Sequence, residues 1–259
     1  MENNIKYDVL IKSDVKDYVK LKYVINSVKF LNPQPSKIFL INPDGFKPNN
    51  TDYDNIIITV MDKDVFPNCD RNNIKFMKKN WCFSTFIALF QDVTEQKYYF
   101  DIQSDNFFLK PINLFNNNKP IFFISPQYAH YHVPYFNFSR QMSDVDRVGN
   151  DSFMINFMMY NKDISKEMLT PYGNFDNYFK RACEIINDDC HPTEQDYYPN
   201  WCLKHHDDLY DIQKNVMVSI QGKHHPDVYL EQEIENIINI YTENYKDLAA
   251  ISLHTWALI

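Results

Sequence analysis

The chain has 259 residues, of which 44% are hydrophobic, and carries a formal net charge of −8. This length allows one large α/β domain or two small ones, with a substantial buried core. The acidic balance argues against a broad basic surface for nucleic acid or anionic membrane. With only 4 Gly and no GxGxxG or GxxxxGK[ST] motif, the chain also lacks the usual glycine loops that hold phosphate.

The 5 cysteines form no CxxC pair, which favours reduced structural thiols over a disulfide framework. The N-terminus, MENNIKYDVLIKSD, has neither the cationic start nor the long apolar stretch of a secretory signal. No run approaches about 18 consecutive apolar residues, so we predict no membrane span. These features predict a soluble, cytoplasmic protein.

The first half of the chain alternates strand-like and helix-like segments. IKYDVLI is predicted as a first buried strand, and a helix capped by Ser13 or Asp17 follows, because apolar residues recur there at helical spacing. SKIFLI and NIIITV are the next predicted strands, and residues 72–90 are predicted as a helix. Strand, helix, strand is the opening of an α/β domain.

The second half changes character after Pro126. Residues 127–150 are aromatic and polar without a clear period, so we predict an ordered loop or lid. SFMINFMMYN is predicted as a strand, followed by a helix with Asp163 as its cap and Gly173 beyond its end. The later predictions are a helix in NFDNYFKRACEIIND, a helix from Thr193, a strand around VMVSI and an amphipathic helix over residues 230–248.

The segment KYYFDIQSDNFFLKP is an aromatic strand that ends in acids and amides. Asp101, Gln103 and Asp105 would project from one face if the strand continued that far. Oxygen ligands at a strand end suit Mg²⁺ or Mn²⁺, which retain waters and substrate phosphates. The alternative is a polar turn between two strands, and the segment alone does not decide between them.

Two further places carry residues that could do chemistry. His254 lies in the apolar tail ISLHTWAL, where its ring needs a partner: it either bonds a backbone carbonyl or closes the site of the acids. Glu194 and Asp196 lie in Thr193-Glu194-Gln195-Asp196, which fits a helix capping box. Alternatively, Glu194 accepts a proton from a hydroxyl nucleophile, with Asp196 as the next acid to consider.

Taken together, these segments resemble GT-A type nucleotide-sugar glycosyltransferases, and in particular a family from bacteria and large DNA viruses catalogued as a domain of unknown function. The similarity begins at VLIKSDVKDYVKLKYVINSV. It continues through NWCFSTFIALF, DIQSDNFFLKPI, MINFMMYNKDISKEML and TEQDYY to ISLHTW. It departs from the family at Gln103, where relatives carry an acid, and at Ser84, Thr85 and Ala88, where they tend to carry Gln-Gln and Lys.

The resemblance implies a single GT-A-like domain with a mixed central sheet flanked by helices, a donor-binding half in residues 1–125 and an acceptor half in 126–259. It implies a Mn²⁺ or Mg²⁺ site. If the chain is viral, it also implies that the protein is located in the cytoplasm of the host. The residues it implies are Asp105, Gln103, Asp101 and His254 for the metal, Ser13, Asp17, Lys12, Arg71 and Lys78 for the donor, and Glu194 and Asp196 for catalysis. Because aromatic faces pack well on sugar rings, the acceptor is expected at His130, His132 and Tyr135.

The resulting hypothesis is an enzyme that transfers a sugar from a UDP- or GDP-linked donor to a glycan hydroxyl with the help of a metal. A second reading is a glycan-binding or scaffold protein on a degenerate GT-A fold, which Gln103 permits. A third, a metal-dependent nuclease or phosphatase, is disfavoured by the net charge and by the single acid cluster.

Overall fold

The fold was analysed in a computed structural model that describes residues 5–124, 133–149, 151–214, 217–224 and 229–256. The strands are β1 Tyr7–Lys12, β2 Leu31–Asn32, β3 Ile38–Asn42, β4 Ile57–Met61, β5 Tyr98–Gln103, β6 Asn106–Phe108, β7 Ile112–Asn113, β8 Phe115–Asn116, β9 Lys119–Ile124, β10 Phe157–Asn161, β11 Asp211–Lys214, β12 Met217–His224 and β13 Ala250–Trp256. The helices are α1 Tyr18–Ser27, α2 Asp62–Val65, α3 Lys79–Phe90, α4 Val133–Ser143, α5 Lys162–Leu169, α6 Phe175–Ile185, α7 Glu194–His205 and α8 Glu231–Asn244.

A five-stranded sheet in the order β10-β5-β1-β3-β4 forms the centre of the molecule. Its strands β5, β1, β3 and β4 are parallel, and β10 runs antiparallel to β5. The chain passes from β1 outward through β3 to β4 and then returns to β5 on the other side of β1. The predicted α/β class with a mixed central sheet is therefore confirmed, and β10 joins this sheet from the second half of the chain.

Side chains alternate strictly across the central sheet, because successive residues of a strand face opposite sides. In β1, Leu10 belongs to the hydrophobic cluster that includes residues of α3 and α7, whereas Val9 and Ile11 belong to the cluster that includes residues of α1 and α8. All six residues of β1 are buried, as expected of a parallel strand covered on both faces. Lys12 lies on the face of Leu10 and so points toward α3 and α7.

A second, three-stranded sheet in the order β12-β13-β6 includes the tail of the described chain. Strand β13 runs antiparallel to β6, with Ser252 opposite Asn106 and Ile251 opposite Phe107. This tail is the apolar stretch in which His254 is predicted either to bond a backbone carbonyl or to close the site of the acids. Its pairing with β6 brings the histidine to the segment that follows β5.

Several predicted boundaries were wrong. The helix expected over residues 72–90 begins at Lys79, because residues 71–73 form a 3₁₀ turn whose first amide groups are capped by Asp70. The expected loop or lid over residues 127–150 contains helix α4, whose Phe138 and Met142 pack into the α3/α7 cluster. Tertiary burial thus stabilises a helix that has no clear sequence period, while residues 125–132 and 150 lie outside the described residues.

Three predicted caps also differ from the structure. Neither Ser13 nor Asp17 makes a capping hydrogen bond before α1; Asp14 caps the 3₁₀ turn Val15–Asp17 instead and accepts a hydrogen bond of 2.7 Å from the Val15 amide.

Asn161, and not Asp163, caps α5: its side chain accepts a hydrogen bond of 3.0 Å from the Asp163 amide. Thr193 is the N-cap residue of α7, but its side chain makes no capping hydrogen bond, so the expected capping box is not formed. The Thr193 hydroxyl instead lies 3.6 Å from the sulfur of Met154. Gly173, at φ 77°, ends its segment as predicted.

Candidate functional site

The candidate site lies at the carboxyl ends of β1 and β5. These adjacent strands form the point at which the order of the central sheet reverses, and open α/β sheets bind ligands in the crevice at such a point. Lys12, the last residue of β1, is in register with Gln103, the last residue of β5. The segments that follow carry Ser13 and Asp17 on one side and Ser104 and Asp105 on the other.

One cluster of charges on the α3/α7 face is built around Lys12. Its Nζ lies 3.1 Å from Oδ2 of Asp101 and 3.3 Å from Oε1 of Glu194, the first residue of α7. Thr85 of α3 donates a hydrogen bond of 2.9 Å to the other Glu194 oxygen, Oε2. All four residues are buried. We call Lys12, Asp101 and Glu194 the ion triad.

The electrostatics of the ion triad follow from two carboxylates that share one ammonium group. Burial raises the pKa of Asp101 to about 6, although the charge of Lys12 opposes this rise. Burial by itself lowers the pKa of Lys12, but the charges of Asp101 and Glu194 outweigh burial and hold that pKa above its usual value. Lys12 is therefore a fixed internal cation.

The ion triad bears on two predicted roles. Lys12 was expected near the donor phosphates, and Asp101 was expected to contribute to a metal site. Lys12 would reach a phosphate only if its pair with Oδ2 of Asp101 opened, whereas Oδ1 of Asp101 is buried and meets no hydrogen-bond donor among the described residues. Asp101 and Gln103 share a face of β5 as predicted, but the strand ends at Gln103 and a turn follows at residues 104–105. Strand alternation therefore does not extend to Asp105.

A second cluster forms where β13 meets the turn after β5. Nδ1 of His254 lies 2.8 Å from Oδ2 of Asp105, and the Leu253 amide donates a hydrogen bond of 2.8 Å to the Asp105 carbonyl. The expected proximity of His254 to Asp105 is thus observed, whereas metal ligation stays a prediction. Burial by itself raises the pKa of Asp105, but the hydrogen bond and charge of His254 outweigh it and lower that pKa.

Asp17 and Lys20 support the same turn from α1. Ser104 donates to Oδ2 of Asp17 over 3.1 Å, and the fully buried Lys20 ammonium lies 2.8 Å from Oδ1 of Asp17. Lys20 also donates to the Leu253 carbonyl over 2.8 Å, and so ties α1 to β13. Lys20 was not predicted from the sequence, although its place beside Leu21 and four residues before Val24 on an apolar helix face was a signal.

Asp105 and His254, which we call the Asp105 cluster, provide part of a site for a hard divalent cation. Oδ1 of Asp105 is buried and meets no hydrogen-bond donor among the described residues, so a charged oxygen is left for a cation. An imidazole stands beside it, and neutral imidazole is a competent ligand for Mn²⁺. Over the described side chains, no group of three His, Cys, Asp or Glu residues is placed to hold a metal. Further ligands would therefore come from an amide such as Gln103, from water or from substrate.

The remaining predicted donor contacts are Ser13, Arg71 and Lys78. The Ser13 hydroxyl oxygen is buried and meets no hydrogen-bond partner within the described chain. Arg71 pairs with Asp62 over 2.8 Å, and its guanidinium carbon lies 5.0 Å from the ring centroid of Phe83. Lys78 is exposed at the start of α3. The structure therefore brings Ser13 and Asp17 to the strand ends and gives Arg71 a local acidic partner.

On the predicted acceptor side, His130 and His132 lie outside the described residues. Tyr135 is half-buried on α4, and its pKa is raised by burial and then by the charges of Asp196 and Glu194. Asp196 is buried, and its Oδ1 accepts a hydrogen bond of 3.2 Å from the Phe153 amide. Tyr135 and the two predicted catalytic acids therefore belong to one neighbourhood.

No helix within the described ranges is both long and apolar enough to cross a membrane. No family model matches the chain. No curated protein matches its sequence significantly. The case for a function therefore rests on the chemistry of the strand ends, and no family is assigned.

Proposed function

We propose that this protein is a metal-dependent glycosyltransferase that moves a sugar from a UDP- or GDP-linked donor to a hydroxyl of a glycan. The observation that carries the proposal is the Asp105–His254 contact of 2.8 Å at the reversal point of the central sheet. A charged carboxylate and an imidazole at this crevice suit a divalent cation and, through it, a diphosphate. We also propose that the domain has a GT-A fold, on the basis of the sequence resemblance to GT-A glycosyltransferases.

Asp105 and His254 are the residues that would hold the ion, with Gln103 nearby at the end of β5. A bound Mn²⁺ or Mg²⁺ would supply positive charge to the nucleotide diphosphate as it leaves the sugar. Asp17 is oriented by Ser104 and Lys20 and so offers a fixed carboxylate at the donor side. The fully buried Lys20 pairs with Asp17 and also donates to the Leu253 carbonyl, so it holds this carboxylate against β13.

Glu194 is proposed to receive the proton of the acceptor hydroxyl in a direct displacement. The acceptor oxygen forms a bond to the anomeric carbon, the bond from that carbon to the diphosphate oxygen breaks, and its electron pair leaves with the diphosphate. Lys12 and Thr85 contact the two carboxylate oxygens of Glu194 and fix the orientation of this group. Thr85 occupies a position at which the chain departs from the resembled family, so this support is a feature of the present sequence.

A non-catalytic glycan-binding or scaffold protein is the second candidate. It is favoured by Gln103, an amide where relatives carry an acid, and by the pairing of Oδ2 of Asp101 with Lys12, whose positive charge opposes a second cation there. For both candidate functions we propose a reducing compartment such as the cytoplasm, because all five cysteines are free thiols.

A screen of UDP- and GDP-sugars for metal-dependent hydrolysis tests the proposal. The purified chain is incubated with each donor in the presence of Mn²⁺, Mg²⁺ or a chelator, and the released nucleotide diphosphate is measured. Release that requires metal and is lost in Asp105→Asn supports the transferase. If calorimetry then detects no metal-linked binding of UDP or GDP and the screen shows no release, the scaffold reading replaces it. Asp208→Asn, an exposed acid, is the matched control.

A further inference from the structure

Four partly exposed rings form one patch beside the ion triad. Phe76 stacks on His191 with centroids 4.7 Å apart and planes at 19°, and Tyr135 meets His191 at 5.3 Å and 81°. Trp81 lies 5.8 Å from both Tyr135 and His191. The rings come from α3 and the segment before it, from α4, and from the segment before α7. We call Phe76, Trp81, Tyr135 and His191 the ring cluster.

The ring cluster is held next to the acids at the start of α7. The His191 amide donates a hydrogen bond of 3.3 Å to the Pro134 carbonyl, which fastens the start of α4 to the chain just before Thr193 and Glu194. The same short segment therefore carries His191 in the ring cluster and Glu194 in the ion triad. Both Glu194 and Asp196 are close enough to Tyr135 for their charges to raise its pKa.

The chemistry of this patch selects a ligand with apolar ring faces and hydroxyl donors. The aromatic faces offer dispersion contacts to C–H groups, and the neighbouring carboxylates accept hydrogen bonds. Burial lowers the pKa of His191, so its ring is neutral at pH 7. Because Nδ1 lies 3.1 Å from the Asn187 carbonyl oxygen and must donate to it, Nε2 is a further acceptor. A neutral sugar combines these properties.

We infer that the ring cluster is a binding surface for a neutral sugar ring of the acceptor glycan, with Trp81 and Tyr135 as its principal aromatic contacts. The acceptor role rests on the proposed transferase function, because it is the neighbouring Glu194 that would receive the hydroxyl proton. Binding of the sugar needs neither a donor nor a metal, since no residue of the Asp105 cluster belongs to the ring cluster. The surface extends the acceptor region from Tyr135 to residues of α3 and of the segment before α7.

Calorimetric titration with neutral oligosaccharides tests this inference on the full chain. The probes are lactose, maltotetraose, cellotetraose and chitotetraose, with a chelator present and without nucleotide sugar. At least one probe is expected to bind the wild-type chain, and Trp81→Ala and Tyr135→Ala are each expected to weaken that binding by about tenfold or more, as for aromatic side chains that a bound partner covers. Tyr245→Ala is the matched control, because Tyr245 is an exposed tyrosine just after α8 that stacks on Tyr241 and contacts no residue of the ring cluster among the ring pairs described.

The outcomes separate this inference from the proposed function. Failure of all four probes to bind, or equal binding by wild type, Trp81→Ala and Tyr135→Ala, would overturn the inference, whatever the donor screen gives. Because Trp81 also packs against the α3/α7 cluster, the thermal midpoint of each variant is measured, and Trp81→Phe replaces Trp81→Ala if that variant does not fold. Oligosaccharide binding that depends on Trp81, in a chain that neither hydrolyses a donor nor shows metal-linked binding of UDP or GDP, would keep the sugar surface and refute the transferase.

Discussion

Nδ1 of His254 and Oδ2 of Asp105 lie 2.8 Å apart, although 149 residues separate them in the chain. The contact depends on the antiparallel pairing of β13 with β6, which places Leu253 and His254 against the turn at Ser104 and Asp105. The other oxygen of the same carboxylate, Oδ1 of Asp105, is buried and meets no hydrogen-bond donor among the described residues. This relationship makes the metal hypothesis testable.

Asp105→Ala is expected to abolish metal-dependent binding of UDP or GDP and to leave the fold intact. The reason is that the carboxylate supplies the charged oxygen on which a hard cation depends. Calorimetric titration of nucleotide diphosphate with and without Mn²⁺ measures the effect, and the exposed Asp208→Ala serves as the control. Unchanged affinity in the presence of Mn²⁺ would falsify the assignment of Asp105.

Glu194→Gln is expected to lower turnover by about 10²–10⁴-fold, or roughly 3–5 kcal/mol of barrier, while donor binding is preserved. Glutamine keeps an oxygen for the Thr85 hydroxyl but cannot take up the acceptor proton. Initial rates with donor and acceptor, together with donor affinity, separate the two effects. Glu184→Gln, an exposed acid of α6, is the control. Turnover equal to that of the wild type would leave Glu194 with a structural role, and Asp196 would then be tested.

Lys12→Met is expected to destabilise the fold by about 3–5 kcal/mol, because it leaves two buried carboxylates without their shared cation. Urea unfolding of the variant gives this difference, with the exposed Lys180→Met of α6 as the control. The double variant Lys12→Met/Asp101→Asn removes one of the stranded charges and is expected to recover part of the loss. If Lys12→Met unfolds like the wild type, the ion triad contributes nothing to stability.

Asp101 is expected to make stability depend on pH in a particular direction. Its pKa is raised from 3.8 to about 6 in the folded chain, so between these values the folded state binds a proton that the unfolded state has lost. The free energy of unfolding contributed by this group therefore falls as the pH rises from about 4 to about 6, by at most ~1.4 kcal/mol per pH unit. Denaturant unfolding at several pH values should show a steeper decline for the wild type than for Asp101→Asn. Parallel curves would contradict the raised pKa, and Asp208→Asn should follow the wild type.

Asn161→Ala is expected to cost about 1 kcal/mol of stability through loss of the α5 cap, within the usual range of roughly 0.5–2 kcal/mol. Asp163→Ala, at the position first expected to be the cap, is expected to cost less than about 1 kcal/mol, because it removes only an exposed pair with Lys97. Urea unfolding of the two variants compares them directly. A larger loss for Asp163→Ala would return the capping role to that residue.

Elements with a local apolar pattern could be predicted from the sequence. The apolar runs of β1, β3 and β5 and the helical spacing in α1, α6 and α8 identified these elements, because burial on both faces of a strand or on one face of a helix leaves a short-range signature. The alternation within β5 also placed Asp101 and Gln103 on one face. Helix α4 carried no such period, and only its packing against the α3/α7 cluster reveals it.

The tertiary structure alone decided how the candidate site is assembled. The ion triad needs the parallel pairing of β1 with β5 and the docking of α7, and the Asp105–His254 contact needs the pairing of β6 with β13. These contacts join residues far apart in the chain, so no window of sequence contains them. Lys12 is a second example. Its position at the end of a strand marks it in the sequence as a possible ligand contact. Burying its charge costs free energy, and the two carboxylates that offset this cost come within reach only in the folded chain.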